Sequence, residues 1–425
     1  MCLRIGFIST RISGLDGVSL ETKKWVKVLE EWGHKIFYFA GELDTPEDVS
    51  YLVPEAHFKY QVNEEINQEI FNIQKRPKKT TKKIEELKQH LKEHLEKFVK
   101  KFDIQMLIVE NALAIPMHIP LGLAITELIA ETGIPTIGHH HDFFWERSRF
   151  LINAVNEYIE MAFPPNLPFI RHVVINSIAQ QELAARKGVS SFLIPNVIDF
   201  SKEPQEPTPA EKQRFLEYFG FEEDAIIFLQ PTRVVARKGI EHAIQLVRKL
   251  NNPKIKLVIT HSKGDEGLDY YNWLIEYARS ENINIYFVDD KLNVSDSEKE
   301  KGYTLWDVYP YADFVTYPSS FEGFGNAFLE AIYYKKPLLV NRYPIYITDI
   351  EPKGFKTITM NGFLTEDNIK EVKRVLEDSH YKKLMVDENF KLGKKYFSFD
   401  VLRKKLLSIF ISFYGVINEN DFKIG

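Results

Sequence analysis

The sequence predicts an α/β protein of two doubly wound, Rossmann-like domains facing each other across a cleft. Its 425 residues exceed what one hydrophobic core usually serves. Short apolar runs alternate with stretches of helical periodicity along nearly the whole chain. An order of strand, Gly-containing loop, helix and strand opens at Arg4 and again at Ala225.

Composition narrows the function classes. Hydrophobic residues make up 44% and charged residues 27%, the balance of a soluble globular protein. A net charge of −5 gives no electrostatic case for nucleic acid. Cys2 is the one cysteine, so no internal disulfide framework exists and a reducing compartment is expected. No signal peptide is legible at the start and no apolar run is long enough to span a bilayer, so the expected location is cytoplasmic. The chain is rich in Lys, Glu and Ile, a bias that occurs in thermophiles.

Taken in order, residues 4–10 read as a strand, Gly14, Asp16 and Gly17 as a loop, Leu20 to Trp32 as a helix and Lys35 to Ala40 as the next strand. The loop departs from G-x-G-x-x-G, so no dinucleotide fingerprint is present. Residues 42–62 read as irregular, and 64–101 as one or two helices broken near Pro77. The basic run Lys75, Arg76, Lys78, Lys79, Lys82, Lys83 reads as a solvated helix face, with little apolar surface to support a membrane contact. Met106 to Glu110 is a buried strand, and a helix follows from Met117 to Thr132. Thr136 to His141 is a strand leading into H-D-F-F-W-E-R-S-R. Strand alternation puts His139 and His141 on one side and His140 on the other, so the three cannot converge on a metal, and no further ligand is evident nearby. Arg147 and Arg149 follow in what reads as a helix, placed to bind a ligand's phosphate or carboxylate or to pair with Glu146 and Glu157. Strands at Val173 and Ser191 close the first domain, assigned to residues 1–200, and a Pro-rich linker covers 200–212.

The second domain, 213–397, opens with the strand from Ala225 to Pro231 and the loop T-R-V-V-A-R-K-G, in which Arg233 and Lys238 reach the strand's carboxyl end. Strands at Lys256 and Ile283 flank a helix near Tyr270 to Arg279, and Asp289-Asp290 ends the second of them. The organising stretch is P-S-S-F-E-G-F-G-N-A-F-L-E-A, from Pro318 to Ala331, between the strand Phe314 to Tyr317 and a helix. Gly323 and Gly325 let a ligand approach the backbone, and the N–H groups of Phe324, Gly325 and Asn326 sit at a positive helix end. Glu322 lies in the turn, and Glu330 is expected two turns inside the helix. Carboxylates for hydroxyls and amides for phosphate oxygens suit a phosphorylated polyol. Pro337 to Arg342 is read as the last clear strand, helices fill 366–393, and an amphipathic helix from 398 onward is expected to pack back on the first domain.

The E-G-F-G-x-x-x-x-E string resembles the retaining glycosyltransferases of family 4, glycosyl transferases group 1, of GT-B fold. The spacing of Arg233 to Lys238, the H-D at His141-Asp142 and Pro195-Asn196-Val197-Ile198-Asp199 are similar to the same family, which has Gly where Thr232 and Val197 stand. The resemblance implies transfer of a hexose, glucose or mannose, from a nucleotide-diphosphate sugar to a hydroxyl of a small, anionic acceptor, without a metal or other cofactor. It implies that amides at Gly17 and Val18, the side chains of Arg233 and Lys238 and the turn Gly323, Phe324, Gly325 and Asn326 face the donor diphosphate. Glu330 would hold ribose and Glu322 the sugar hydroxyls. His141 would lie beside the donor sugar, with His140, Asp142, Arg147 and Arg149 on the acceptor side. The departing phosphate oxygen would take the acceptor proton, and domain closure would exclude water. Other readings are a sugar-nucleotide epimerase of the same fold, a transferase acting on a lipid or polysaccharide precursor, an NAD-dependent dehydrogenase and a noncatalytic sugar-binding protein. The dehydrogenase lacks its fingerprint, and the presence of Arg233, Lys238, Glu322 and Glu330 together argues against the noncatalytic reading.

Overall fold

The computed structural model describes residues 2–14, 17–261, 267–293 and 302–415. Asp16 of the first loop and residues 416–425 of the expected last helix lie outside them. The chain divides into two compact units, one of residues up to Val197 and from Phe399 onward, the other Ile198–Ser398.

In chain order the first unit holds β1 (Arg4–Ile8), α1 (Gly17–Glu31), β2 (Lys35–Ala40), β3 (Ser50–Leu52), α2 (Gln61–Ile70), α3 (Lys78–Phe102) and β4 (Met106–Glu110). It continues with α4 (Ile119–Thr132), β5 (Thr136–His140), α5 (Asn156–Ala162), β6 (Ile170–Val174), α6 (Ser177–Lys187) and β7 (Ser191–Leu193). The strands form one parallel sheet ordered β3-β2-β1-β4-β5-β6-β7, so the order reverses between β1 and β4. Side chains alternate faces along a strand. Leu107 and Val109 of β4 therefore enter the core beneath α3 and α4, whereas Met106 and Ile108 enter the core beneath α1. With both faces covered, the whole of β4 is buried, which is why it reads as an unbroken apolar run up to Glu110. Ile84, Leu87, Leu91, Leu95, Phe98 and Phe102 recur at three- and four-residue spacing and bury one stripe of α3. The basic residues near its start are paired: exposed Lys79 with Glu69, half-buried Lys83 with Glu65, and Arg76, which lies over the Tyr158 ring of α5, with Glu157.

The second unit holds α7 (Pro209–Phe219), β8 (Ile226–Gln230), α8 (Ile240–Leu250), β9 (Ile255–Ile259), α9 (Asp269–Ser280) and β10 (Ile285–Phe287). A two-stranded ladder of β11 (Leu292–Asn293) and β12 (Tyr303–Thr304) precedes β13 (Phe314–Tyr317), α10 (Asn326–Tyr333), β14 (Leu338–Asn341), β15 (Ile358–Met360), α11 (Glu366–Glu377) and α12 (Ser379–Phe397). Its parallel sheet is ordered β10-β9-β8-β13-β14-β15 and reverses between β8 and β13. Within the expected linker, Thr208 caps α7: its hydroxyl accepts from Glu211 N–H, and the Glu211 carboxylate accepts from Thr208 N–H at 2.8 Å.

The last helix, α13 (Phe399–Tyr414), belongs to the first unit. Phe399, Leu402, Leu406, Ile409 and Phe410 share a core with Trp25, Val28, Leu29 and Trp32 of the α1 segment. In the two large sheets, two strands escaped the sequence reading: β3, within the stretch taken as irregular, and β15, beyond the strand taken as last. Each is three residues long and lies at a sheet edge, too short to display an alternation.

Leu406 is fully buried, so Leu406→Ala leaves a cavity in the first unit's core. It should cost about 2–5 kcal/mol. Urea unfolding followed by tryptophan fluorescence measures this; a loss below about 1 kcal/mol would mean that α13 is not an integral part of that core.

Candidate active site

In open parallel sheets ligands gather at the carboxyl ends of the strands where the strand order reverses. In the second unit those strands are β8 and β13, and each of the two motif loops follows one of them. Their pairing, Phe314 beside Phe228 and Val315 beside Leu229, brings the loops into contact. Ser320 N–H donates to Arg237 O at 2.8 Å, and Lys238 Nζ donates to Glu322 Oε1 at 2.5 Å. Arg237 Nη1 lies 3.8 Å from Glu322 Oε2. Lys238 and Glu322 are both buried. Burial pulls the Lys238 ammonium below its ordinary pKa, Glu322 opposes that shift, and Arg237 and Arg233 add to it. Arg233 itself is exposed. Beneath the loop, Thr316 donates to Gln230 Oε1 at 2.7 Å and Gln230 donates to Thr232 Oγ1 at 2.8 Å. Thr232 is thus built into a buried polar chain.

The turn into α10 depends on glycine at two points. Gly239 has φ +62°, and a Cβ there would meet Pro318 O at 2.6 Å. Gly325 has φ +121°, and its Cβ would collide with the Tyr343 hydroxyl. That hydroxyl donates to Phe324 O at 2.8 Å. Helix α10 begins at Asn326, so Glu330 sits one turn inside it, not two. Its carboxylate accepts from Tyr309 OH at 2.6 Å and from Trp306 Nε1 at 3.3 Å. Neither aromatic was singled out in the sequence, because both lie in a 3-10 turn remote from the motif.

In the first unit the reversal falls between β1 and β4, with β5 next in the sheet. Gly17 and Val18 open α1 instead of lying in the loop. At the ends of β4 and β5 the three histidines separate as alternation requires. His139 Nδ1 lies 2.9 Å and His141 Nε2 3.2 Å from Glu110 Oε2. His140 Nε2 lies 2.8 Å from His172 Nδ1 on β6. His140, the weaker candidate, is therefore buried in a histidine pair. Glu110 also corrects the expectation that no further ligand lies near His139 and His141. The donor atoms of Glu110, His139 and His141 lie within 4.8 Å of one another, a spacing that a shared proton or a cation could occupy. A charged residue closing an apolar strand was the available signal.

Asn111, in a left-handed conformation with φ 59°, pins the next two residues: its Oδ1 accepts from His141 N–H and its Nδ2 donates to Asp142 Oδ1, both at 3.0 Å. Arg147 Nε donates to Asp142 Oδ2 at 2.6 Å. Arg147 thus pairs with Asp142, not with Glu146 or Glu157, and the segment consists of two 3-10 turns, not a helix. Burial pushes the Glu146 carboxyl up to about 7. The Arg149 guanidinium lies over the Phe150 ring, 4.5 Å from its centre. Val197 is not among the residues with positive φ; its N–H donates to the buried Glu21 carboxylate at 3.2 Å, so the segment accepts valine without strain.

The histidine pair has a sign that can be checked. His172 Nε2 lies 3.0 Å from Pro165 O and must donate there, so its Nδ1 accepts from His140 and both rings are neutral. Burial holds His172 down to about 4 and His140 well below its ordinary value. Below the unfolded value of 6.5 the unfolded chain binds protons that the folded chain refuses, so stability falls as pH drops toward the folded value. His172 alone should cost about 2 kcal/mol by about pH 5. Melting curves between neutral and acidic pH should show this decline, and His172→Gln should flatten it while lowering stability at neutral pH. An unchanged slope in the variant would remove the pair from the account.

Residues 211–391 match the family model described as glycosyl transferases group 1. The chain is 34% identical over 384 residues to mannosylglucosylglycerate synthase of Petrotoga mobilis, an alignment covering 85% of this chain and 87% of that one. It is 31% identical to mannosylglucosylglycerate synthase of Thermotoga maritima, covering 95% of this chain and 100% of that one. Among solved structures it resembles a sucrose-phosphate synthase from Thermosynechococcus elongatus, with a TM-score of 0.68 at 13% identity over 97% of this chain and 99% of that one. WaaG, a glycosyltransferase of lipopolysaccharide biosynthesis, gives a TM-score of 0.61 at 13% identity, covering 95% of this chain and 99% of that one. The fold is GT-B, two parallel-sheet Rossmann-like units. The chain belongs to the group 1 glycosyltransferases.

Proposed function

We propose that the enzyme transfers a mannosyl group from a nucleotide-diphosphate mannose to a hydroxyl of glucosylglycerate, with retention at the anomeric carbon and without a metal or other cofactor. The carrying observation is the contact between the loops after β8 and β13, which clusters Arg233, Arg237, Lys238 and the start of α10, in a chain whose relatives are mannosylglucosylglycerate synthases. Both parts of the notion of a small, anionic acceptor suit that product, since glycerate carries a carboxylate.

The barrier is separation of an anionic diphosphate from an oxocarbenium-like sugar. Arg233 and Lys238 neutralise the departing phosphates, helped by the N–H groups from Gly323 to Asn326 at the start of α10. Glu330, held by Tyr309 and Trp306, takes the ribose hydroxyls. Glu322 meets the sugar hydroxyls. The bond from the anomeric carbon to the phosphate oxygen breaks, and the bond to the acceptor oxygen forms on the same face. The acceptor proton passes to the departing phosphate oxygen. Of the cations in the acceptor segment, Arg147 is engaged with Asp142, which leaves Arg149 as the group offered to the acceptor carboxylate.

The test is incubation of GDP-, UDP- and ADP-mannose with glucosylglycerate, with and without chelator, and NMR of the product. A retained anomer formed equally well with chelator is expected. Product requiring a divalent ion would overturn the metal-free mechanism, and isomerised sugar from donor alone would indicate the epimerase. Because Lys238 is buried against Glu322, Lys238→Ala strands a buried carboxylate and lowers stability as well as activity. Exposed Arg233 separates the two: Arg233→Ala should lower kcat/KM about 100-fold with an unchanged melting temperature. Near-wild-type turnover would remove Arg233 from the leaving-group site.

A further inference from the structure

Glu110 is the least explained charged group in the first unit. It has no exposed surface, and among the described residues no lysine or arginine pairs with it. A carboxylate so placed needs positive charge close by.

Around it stands a set of metal-ligand atoms. β4 ends at Glu110, and β5 carries His139 in register with it. His141, two residues on, lies on the same side. His139 Nδ1 lies 2.9 Å and His141 Nε2 3.2 Å from Glu110 Oε2, and the three donor atoms lie within 4.8 Å of one another. Around an ion bound at about 2.0–2.2 Å, neighbouring ligand atoms stand roughly 2.8–3.6 Å apart, and both spacings fall in that range. Both nitrogens can also hydrogen-bond to Oε2, but that leaves the other oxygen unaccounted for. Glu110 Oε1 is buried and has no hydrogen-bond partner among the described residues. Glu21 of α1 repeats the pattern: Lys24 and the Val197 N–H engage its Oε1, while its buried Oε2 has no partner. The Glu21 charge acts on both histidine rings. The ligands are also held in place. The Trp25 ring stacks on His139 with centroids 4.2 Å apart, and Asn111 Oδ1 accepts from the His141 N–H at 3.0 Å.

We infer that Glu110, His139 and His141 form a binding site for a divalent transition-metal ion, zinc above all, built wholly from the first unit. Two imidazoles and a carboxylate are donors that such ions take, whereas magnesium and calcium prefer oxygen alone. Three protein ligands leave one position of a tetrahedron for water. The His141 side chain keeps about a tenth of its surface exposed, so ion and water reach the cluster on that side. The bound ion ties the ends of β4 and β5 together. It goes beyond the transfer reaction proposed above, whose leaving-group chemistry draws on cations of the second unit, and its test needs no turnover.

Full-length protein stripped with chelator and dialysed should take up about one Zn²⁺ or Co²⁺ per chain, read by calorimetry and, for Co²⁺, by visible absorption. Zinc at about 100 times its Kd should raise the melting temperature by about 5 °C or more. Glu110→Gln keeps the shape and removes the charge, and His141→Ala removes the most exposed ligand. Each should weaken binding more than about 100-fold, beyond what loss of an outer partner costs. His90 and His94, on one face of α3 with ring centres 4.7 Å apart, are another pair that could take a metal, and His90→Ala should leave the affinity unchanged. No uptake by the wild type, binding that survives Glu110→Gln and His141→Ala, or binding lost in His90→Ala would overturn the assignment. If Glu110→Gln does not fold, His141→Ala decides, with its metal-free melting temperature as the check on folding. The two readings fail separately: sugar transfer without zinc uptake removes the ion site alone, and zinc uptake without sugar transfer removes the transferase reading alone.

Discussion

The pairing of β8 with β13 is the constraint from which the donor-side geometry follows. Eighty-three residues of sequence, 231 to 313, separate the two strands, yet in the sheet they are neighbours, and both point their carboxyl ends the same way. Any two loops so placed must share a small volume. Here the loops bring a lysine and a glutamate into it, and both are buried. Desolvating two charges is expensive, and removing one partner from such a pair typically costs about 3–5 kcal/mol because the other is left uncompensated. The Lys238 loop and the Glu322 loop are therefore energetically one element. Backbone contacts reinforce the union, with Arg237 O accepting from both the N–H and the hydroxyl of Ser320.

The first unit solves a related problem with different chemistry. Its sheet also reverses at the centre, and β4, next to the reversal, ends in a buried carboxylate. No lysine reaches Glu110 among the described residues; its compensation comes from imidazoles. Glu110 thus faces two imidazoles in the first unit, and Glu322 an ammonium in the second. Asn111 completes the arrangement by adopting the left-handed conformation that asparagine tolerates, which lets one side chain serve two successive residues of the neighbouring strand end.

The parts of this layout visible in the sequence were those governed by local rules. Alternation alone separated His140 from His139 and His141, and the distances to His172 and Glu110 agree. The strand, turn and helix around Glu322 were legible because glycine and apolar runs mark them, although the helix begins a turn later than expected. What escaped the reading depends on distant partners. Arg147 was matched to nearby glutamates, yet it takes Asp142, because the backbone there forms tight turns and not a helix. Tyr309 and Trp306 meet Glu330 only because their turn folds back beneath α10, which no periodicity announces. Strands of three residues at the edges carried no pattern to read.

The tyrosines show how far such distant partners shape the motif. Tyr343 OH takes Phe324 O, and the peptide joining Phe324 to Gly325 is planar and trans. Its N–H must then point opposite to its carbonyl, away from the buried Tyr343 ring. One hydroxyl, contributed from beyond β14, thereby orients an amide at the mouth of α10. The same hydroxyl occupies the space that a Cβ at position 325 would need, so the glycine and the tyrosine require each other. Gly325 is thus needed for three linked reasons: its φ, the approach of Tyr343, and the direction of the donor that this approach sets. A motif that looks like a local turn is held in its working shape by a residue eighteen positions downstream, and a short sequence string could show only its nearer half.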